Sequence, residues 1–245
     1  MEQFKADLHI HSLLSPCGSL EMSPMNIVNA ALEAQLDIIA ITDHNSTKQA
    51  QLIQKIGSEK GIWVICGAEI NSAEEVHVLT LFESPDALVQ FQLFINKHTR
   101  KVKNNPDLFG DQVVVDENEM IVEELEFLLI NSLEAGLSEI ETEVHHLGGL
   151  FIPAHIDRPY NGILSQLGMI PENLNADAFE ISYKASIDEW QNSSKIPQGV
   201  SLLKNSDAHF PEQIGKGYTI FNMKERTFNE LRKALRQEDG RSILV

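Results

Sequence analysis

Phe4-Lys5-Ala6-Asp7-Leu8-His9-Ile10-His11-Ser12, residues 4–12, is the stretch from which the rest of the chain can be read. It is apolar enough to be a strand buried on both faces, and in extended backbone side chains two apart share a face. His9 and His11 therefore converge on one point where the segment ends. The theme recurs along the chain. His44 follows Ile41-Thr42-Asp43, Glu69 sits in Gly67-Ala68-Glu69-Ile70-Asn71 with His77 downstream, His155 follows Pro153-Ala154, and Asp207-Ala208-His209 repeats the two-residue spacing. A single buried histidine is usually a hydrogen-bonded core residue. Five strand-end sites that combine imidazole with carboxylate read instead as a ligand set, one that suits Zn, Mn or Fe far better than Ca or Mg.

Working outward, residues 4–12, 37–44, 63–71, 76–82, 150–155, 177–182, 200–206 and 217–222 are rich in Ile, Val, Leu and Phe and read as buried strands. Helix starts lie between them. Ser23-Pro24 is an N-cap followed by proline at N1, while Ser46-Thr47-Lys48-Gln49 and Ser138-Glu139-Ile140-Glu141 fit the capping box. This alternation predicts parallel βα units, and ligands drawn from many strand ends favour a barrel over an open sheet. Residues 84–148 break the rhythm. A helix over about Pro85–Lys103 carries Lys97, Arg100, Lys101 and Lys103 at its end, where cations suit the helix dipole or hold an anionic substrate. Then Val113-Val114-Val115 and Met120-Ile121-Val122 flank a polar four-residue turn and read as a hairpin; a helix from about Glu119 also fits the spacing. The expectation is one domain over residues 1–245 with an insertion around 84–148.

Composition limits the setting. At 245 residues, 42% apolar and 22% charged, the chain has the make-up of an ordinary globular protein. No apolar run reaches the length of a membrane span, and the first strand leaves no room for a secretion signal. Two cysteines, Cys17 and Cys66, make no disulfide framework, so a cytoplasmic location is expected. The 36 acidic residues against 19 basic give a net charge of −17. That charge, with no aromatic stacking stripe, predicts a small phosphorylated substrate and neither a long nucleic acid nor a membrane as partner. Metal ions in the pocket would dominate the local field, so the overall sign does not argue against phosphate esters.

Taken in order, these motifs resemble those of the PHP family of metal-dependent phosphoesterases, named for polymerase and histidinol phosphatase. The resemblance runs from residue 6 to about 220, and it is the ordered set rather than any one motif that makes it specific. It implies a distorted (β/α)7 barrel, α/β in class, with a trinuclear site at the strand C-termini. Carried over, it places His9, His11, Glu69 and Asp207 on a first metal. Glu69 would bridge to a second ion held by His77 and His155, and His44 and His209 would hold a third. Asp43 reads as a partner that orients an imidazole rather than as a ligand. Many family phosphatases carry an aspartate about five residues beyond the paired histidines. Here that stretch is Leu14-Ser15-Pro16-Cys17-Gly18-Ser19-Leu20-Glu21. Cys17 or Glu21 is the candidate replacement, and a Pro-Cys-Gly turn with no ligand role is the alternative.

Two or three divalent ions would lower the pKa of a shared water to about 7 and neutralise charge on a phosphoryl group, so no protein nucleophile is required. Glu69 and Asp207 would organise the ions. Arg158 is placed to grip a phosphate bidentately unless it merely pairs with Asp157, and Lys184 is a weaker candidate substrate contact, as is Lys204. Three functions are consistent with this set. They are a phosphomonoesterase on a nucleotide, sugar phosphate or histidinol phosphate; a nuclease or phosphodiesterase on short nucleic acids; and a metal-bound module with little catalysis.

Overall fold

Strands dominate where β-branched and aromatic residues cluster, and all eight apolar runs marked out by the sequence are strands in the computed structural model, which describes residues 1–244. In chain order the elements are β1 (Glu2–Ile10), α1 (Pro24–Glu33), β2 (Ile38–Ile41), α2 (Ala50–Glu59), β3 (Trp63–Asn71), β4 (His77–Phe82), α3 (Pro85–His98) and α4 (Pro106–Phe109). There follow β5 (Val113–Val115), β6 (Ile121–Glu124), α5 (Leu137–His146), β7 (Leu150–Pro153), α6 (Ile163–Leu167), β8 (Phe179–Ser182), α7 (Ile187–Gln191), β9 (Leu202–Asn205), β10 (Thr219–Met223), α8 (Phe228–Leu235) and β11 (Ser242–Leu244).

The fold is mixed α/β, built on a curled seven-stranded sheet in the order β11-β10-β1-β2-β3-β4-β7. Its pairings correct the expectation of uniformly parallel βα units. β1–β2 and β2–β3 are parallel, but β3–β4, β4–β7, β1–β10 and β10–β11 are antiparallel. The reason is local: only five residues separate β3 from β4, too few for a crossover helix, so the chain must turn straight back. A separate parallel pair, β8–β9, lies between β7 and β1. Ile156 N–H donates to the Glu180 carbonyl on one side of that pair, and Leu8 N–H to Asn205 Oδ1 on the other.

Residues of the central strands divide between two apolar layers. Ile39, Ile41, Val64, Cys66, Val78 and Phe151 face the helices, whereas Ile38, Ala40, Ile65, Leu79, Leu81 and Ile152 fill the inside of the curl. Each large aliphatic side chain so buried contributes about 1.5–3 kcal/mol. No helix is long and apolar enough to cross a membrane, among the described residues.

Capping follows the sequence at α1, where Ser23 accepts from Asn26 N–H, and departs from it at two other helices. α2 begins at Ala50 with no side-chain cap, because Gln49 is used elsewhere: it exchanges two hydrogen bonds with the backbone of Val115 and so ties down β5. α5 begins at Leu137, whose N–H donates to the distant Glu74 carboxylate rather than to a local serine. Residues 113–124 form the hairpin, with Val115 opposite Ile121 in an antiparallel pair, so the helical alternative is excluded. Helix α3 ends at His98, short of the predicted Lys103. Gly110 (φ +97°) packs on Pro16, and a Cβ there would sit 2.2 Å from the Pro16 carbonyl oxygen.

Candidate metal centre

Six elements deliver the clustered side chains to one end of the sheet. β1 carries His9 next to its last residue and brings His11 just beyond its end; the turn after β2 brings His44, and β3 carries Glu69 near its end. His77 arrives differently. It is the first residue of β4, and because β4 runs antiparallel to β3, with His77 opposite Asn71, a strand start reaches the same end of the sheet. His155 follows β7, and Asp207 and His209 follow β9.

The donors crowd around Glu69. Its Oε1 lies 2.9 Å from His77 Nδ1, 3.1 Å from His155 Nε2 and 3.4 Å from His9 Nε2, while Oε2 lies 3.1 Å from His44 Nδ1 and 3.3 Å from His11 Nε2. Asp207 Oδ1 is 3.1 Å from His9 Nε2 and 3.2 Å from His11 Nε2, and those two nitrogens are themselves 3.2 Å apart. Three groups have their donor atoms within 4.8 Å of one another: His9, His11, Glu69 and Asp207; His44, Glu69 and His77; and His11, His44 and His209. With metal–nitrogen bonds of about 2.0–2.1 Å, the edge of a tetrahedron is about 3.4 Å, so these spacings suit donors sharing a cation. The buried His44 Nδ1, which makes no hydrogen bond despite its nearness to Glu69, is a donor atom of this kind. The set therefore fits a divalent transition metal.

Charge is balanced within the cluster. Burial alone would raise the Glu69 pKa, but His77, His9 and His44 outweigh it and hold the carboxyl well below the usual range. Burial alone would lower His11, but Asp207 and Glu69 outweigh it and hold the imidazole up to about 9. Backbone strain is present here too. His155 (φ +29°) and Asp207 (φ +52°) are non-glycine residues in the left-handed region, a cost of order 1–3 kcal/mol each that surrounding contacts must hold in place.

Sequence reasoning missed Glu180. Buried on β8, it places both oxygens 3.1 Å from His9 Nδ1 and accepts from His155 N–H at 2.9 Å and from Asn205 Nδ2 at 2.8 Å. One carboxylate thus orients two of the clustered histidines. The available signal was an acid inside the otherwise apolar Ala178-Phe179-Glu180-Ile181, since a buried carboxylate needs partners. Asn161 was also missed; its side-chain amide meets His77 Nε2 at 2.5 Å.

Other expected residues divide. Asp43 acts through an intermediary: it accepts from Ser12 and from Ser15 Oγ, and Ser15 in turn lies 3.0 Å from His11 Nδ1. Arg158 Nη1 pairs with Asp207 Oδ2 at 2.6 Å and lines the pocket, while Asp157 is engaged by Ser182 instead. Cys17 lines the pocket but joins none of the close donor groups, and Glu21 is exposed outside them. Lys184 is exposed beside the Tyr183 ring and does not line the pocket, so its expected substrate role finds no support; neither does Lys204 line it. The pocket holds about 450 Å³.

The family model of the PHP domain matches residues 7–192, and a PHP-associated model matches residues 201–239, which include Asp207 and His209. The chain belongs to the PHP domain family, a family of metal-dependent phosphoesterases. An uncharacterized Bacillus subtilis protein, YqxK, is 33% identical over 117 residues, covering 46% of this chain and 30% of that protein. The lesion-specific endonuclease PfuEndoQ from Pyrococcus furiosus superimposes with a TM-score of 0.74 at 22% identity, over 100% of this chain and 58% of that one. Endonuclease Q in complex with a 27-mer duplex carrying an abasic lesion at the active site gives 0.70 at 22% identity, over 98% and 58%. The chain thus spans well under two thirds of each.

These likenesses correct the expectation that no long nucleic acid is a partner: a chain with this fold takes duplex DNA at its active site. The exclusion rested on the charge summed over the whole chain and on the lack of an aromatic stacking stripe. Net charge reports average repulsion, whereas backbone binding depends on the charge local to the groove and on any ions held there.

Proposed function

We propose that this protein is a metal-dependent phosphodiesterase that cuts a nucleic-acid backbone, in line with the nuclease alternative drawn from the sequence. The position of Glu69 carries the metal dependence, and the likeness of the fold to an endonuclease that holds a duplex at its active site favours a polynucleotide over a small ester. Glu69 Oε1 faces His77, His155 and His9 and Oε2 faces His44 and His11, so both oxygens are surrounded by histidine nitrogens within 3.4 Å, as suits a carboxylate shared between cations. His9, His11, Glu69 and Asp207 would hold one ion and His77 and His155 a second, with His44 and His209 available for a third. Zn, Mn and Fe all suit this donor set. Ions bound there supply an acidified water and neutralise charge on the phosphoryl oxygens.

The chain's own residues do the remainder. Glu180 holds His9 and the His155 backbone, Ser15 holds His11 under the control of Asp43, and Asn161 holds His77. Arg158 stands at the pocket wall with a planar donor fork. With Asp207 engaged as a metal ligand, that fork would be available to a phosphate oxygen. In this reading β8–β9 completes the curl as a distorted barrel, and the strands matched by both family models form one catalytic unit.

The test is incubation of the metal-loaded protein with end-labelled DNA, single-stranded and duplex, with and without an abasic position, beside a panel of phosphomonoesters. Shortening of the labelled strand supports the proposal. Phosphate release from monoesters with every oligonucleotide left intact overturns it.

A further inference from the structure

The loop from His155 to Gly162 is fastened at nearly every residue. His155 and Asn161 have φ of +29° and +59°, and a Cβ on Gly162 would sit 3.0 Å from the carbonyl oxygens of both His155 and Arg158. Asp157 accepts from Ser182 N–H at 2.7 Å, Arg158 pairs with Asp207 at 2.6 Å, and the Asn161 carbonyl accepts from His77 N–H at 2.9 Å. Tyr160 is the exception. It lines the same pocket as Arg158 and the clustered histidines, yet is 76% exposed, and its hydroxyl makes no hydrogen bond among the described residues. Aromatic side chains ordinarily bury their faces, and a tyrosine loses little conformational freedom when it becomes a contact surface.

We infer that Tyr160 is a stacking platform for the nucleobase attached to the phosphate that Arg158 grips, so that the pocket recognises a nucleotide rather than a bare phosphate ester. The inference deepens the function proposed above and rests on it for the phosphate position. A planar cation fork and an exposed ring, two residues apart on one rigid loop and on one pocket wall, match the two unlike halves of a nucleotide. Pro159 and Ile130 line the same pocket and give it an apolar side. Stacking on an aromatic ring accepts any base, so the preference is for a base over none and not for one sequence.

The experiment is titration of the zinc-loaded protein with thymidine 5′-phosphate and with deoxyribose 5-phosphate, for wild type and for Tyr160→Ala, Tyr160→Phe and Tyr160→Trp. Stacking predicts that wild type binds the nucleotide about 5- to 150-fold more tightly than the sugar phosphate. The alanine variant should lose that difference and the aromatic variants keep it, while affinity for the sugar phosphate is the same in all four. Equal binding of both ligands by wild type, or a difference that survives in Tyr160→Ala, overturns the inference. Weakening of both ligands together in Tyr160→Ala would show that the residue acts through the loop, and overturns it too. Base-dependent binding in a protein that leaves oligonucleotides intact would refute the cleavage proposal and leave the stacking role standing.

Discussion

Replacing Glu180 with glutamine changes one atom and should disable the centre without emptying the core. The carboxylate accepts from three donors, at His9 Nδ1, His155 N–H and Asn205 Nδ2, between 2.8 and 3.1 Å. An amide offers one oxygen and one NH2, so at least one buried donor loses its acceptor, at a cost of about 1–3 kcal/mol. In a domain of this size that lowers the melting temperature by about 2–12 °C. The larger consequence is at the metal. Without the carboxylate, His9 loses the partner that fixes its tautomer and raises its basicity, a change that typically weakens metal binding 10- to 100-fold, or about 1.4–2.7 kcal/mol. Chelator competition on wild type and Glu180→Gln, with thermal unfolding of both in excess EDTA, separates the two effects. Metal affinity within about threefold of wild type would refute the orienting role, even if the melting temperature fell.

Arg158→Lys keeps a charge but loses the paired hydrogen bonds, so kcat/KM should fall by about 1.5–3 kcal/mol, mostly through KM; steady-state kinetics showing no change would remove Arg158 from the substrate site. Cys17→Ser should leave metal stoichiometry unchanged, because the thiol lies at the pocket wall outside the close donor groups, and a lost equivalent by elemental analysis would contradict that. Glu230 is paired with Arg241 by hydrogen bonds of 2.6 and 2.9 Å, which lower its pKa from 4.5 to about 2. A depressed carboxyl stabilises the fold above its unfolded value and loses that contribution as pH falls through the folded one. The stability gap between wild type and Glu230→Gln should therefore narrow from pH 4.5 down to about 2, as read by denaturant titration, and a gap constant over that window would refute the pairing.

What the sequence made legible was set by periodicity and by spacing. Strands apolar on both faces announce themselves, and two histidines two apart on a strand must point the same way, so His9 and His11 could be placed with no fold at hand. Strand direction was misjudged because the alternation of runs was weighed and the length of chain between them was not. Whether the five residues between β3 and β4 turn back or cross over is decided by chain length and not by the apolar pattern, and that turn is why His77 arrives from a strand start. Capping failed where tertiary partners intervened. Gln49 is drawn to Val115 and Glu74 to Leu137, contacts across 66 and 63 residues that no local motif records. Glu180 was hidden for a related reason, since a buried acid in a strand is read as an oddity until its three partners are known. The exclusion of nucleic acid drawn from charge was weak because a sum over the chain says nothing of the charge local to a groove.

The central claim is that Glu69 and the seven side chains around it are a multinuclear metal site. Elemental analysis of protein purified without chelator, then supplied with Zn, Mn or Fe and desalted, tests it most directly, with Glu69→Gln alongside. The account predicts two or three equivalents of transition metal in wild type and a loss of more than one in Glu69→Gln, because that carboxylate faces two sets of donors. Less than half an equivalent in wild type under every loading condition would contradict it.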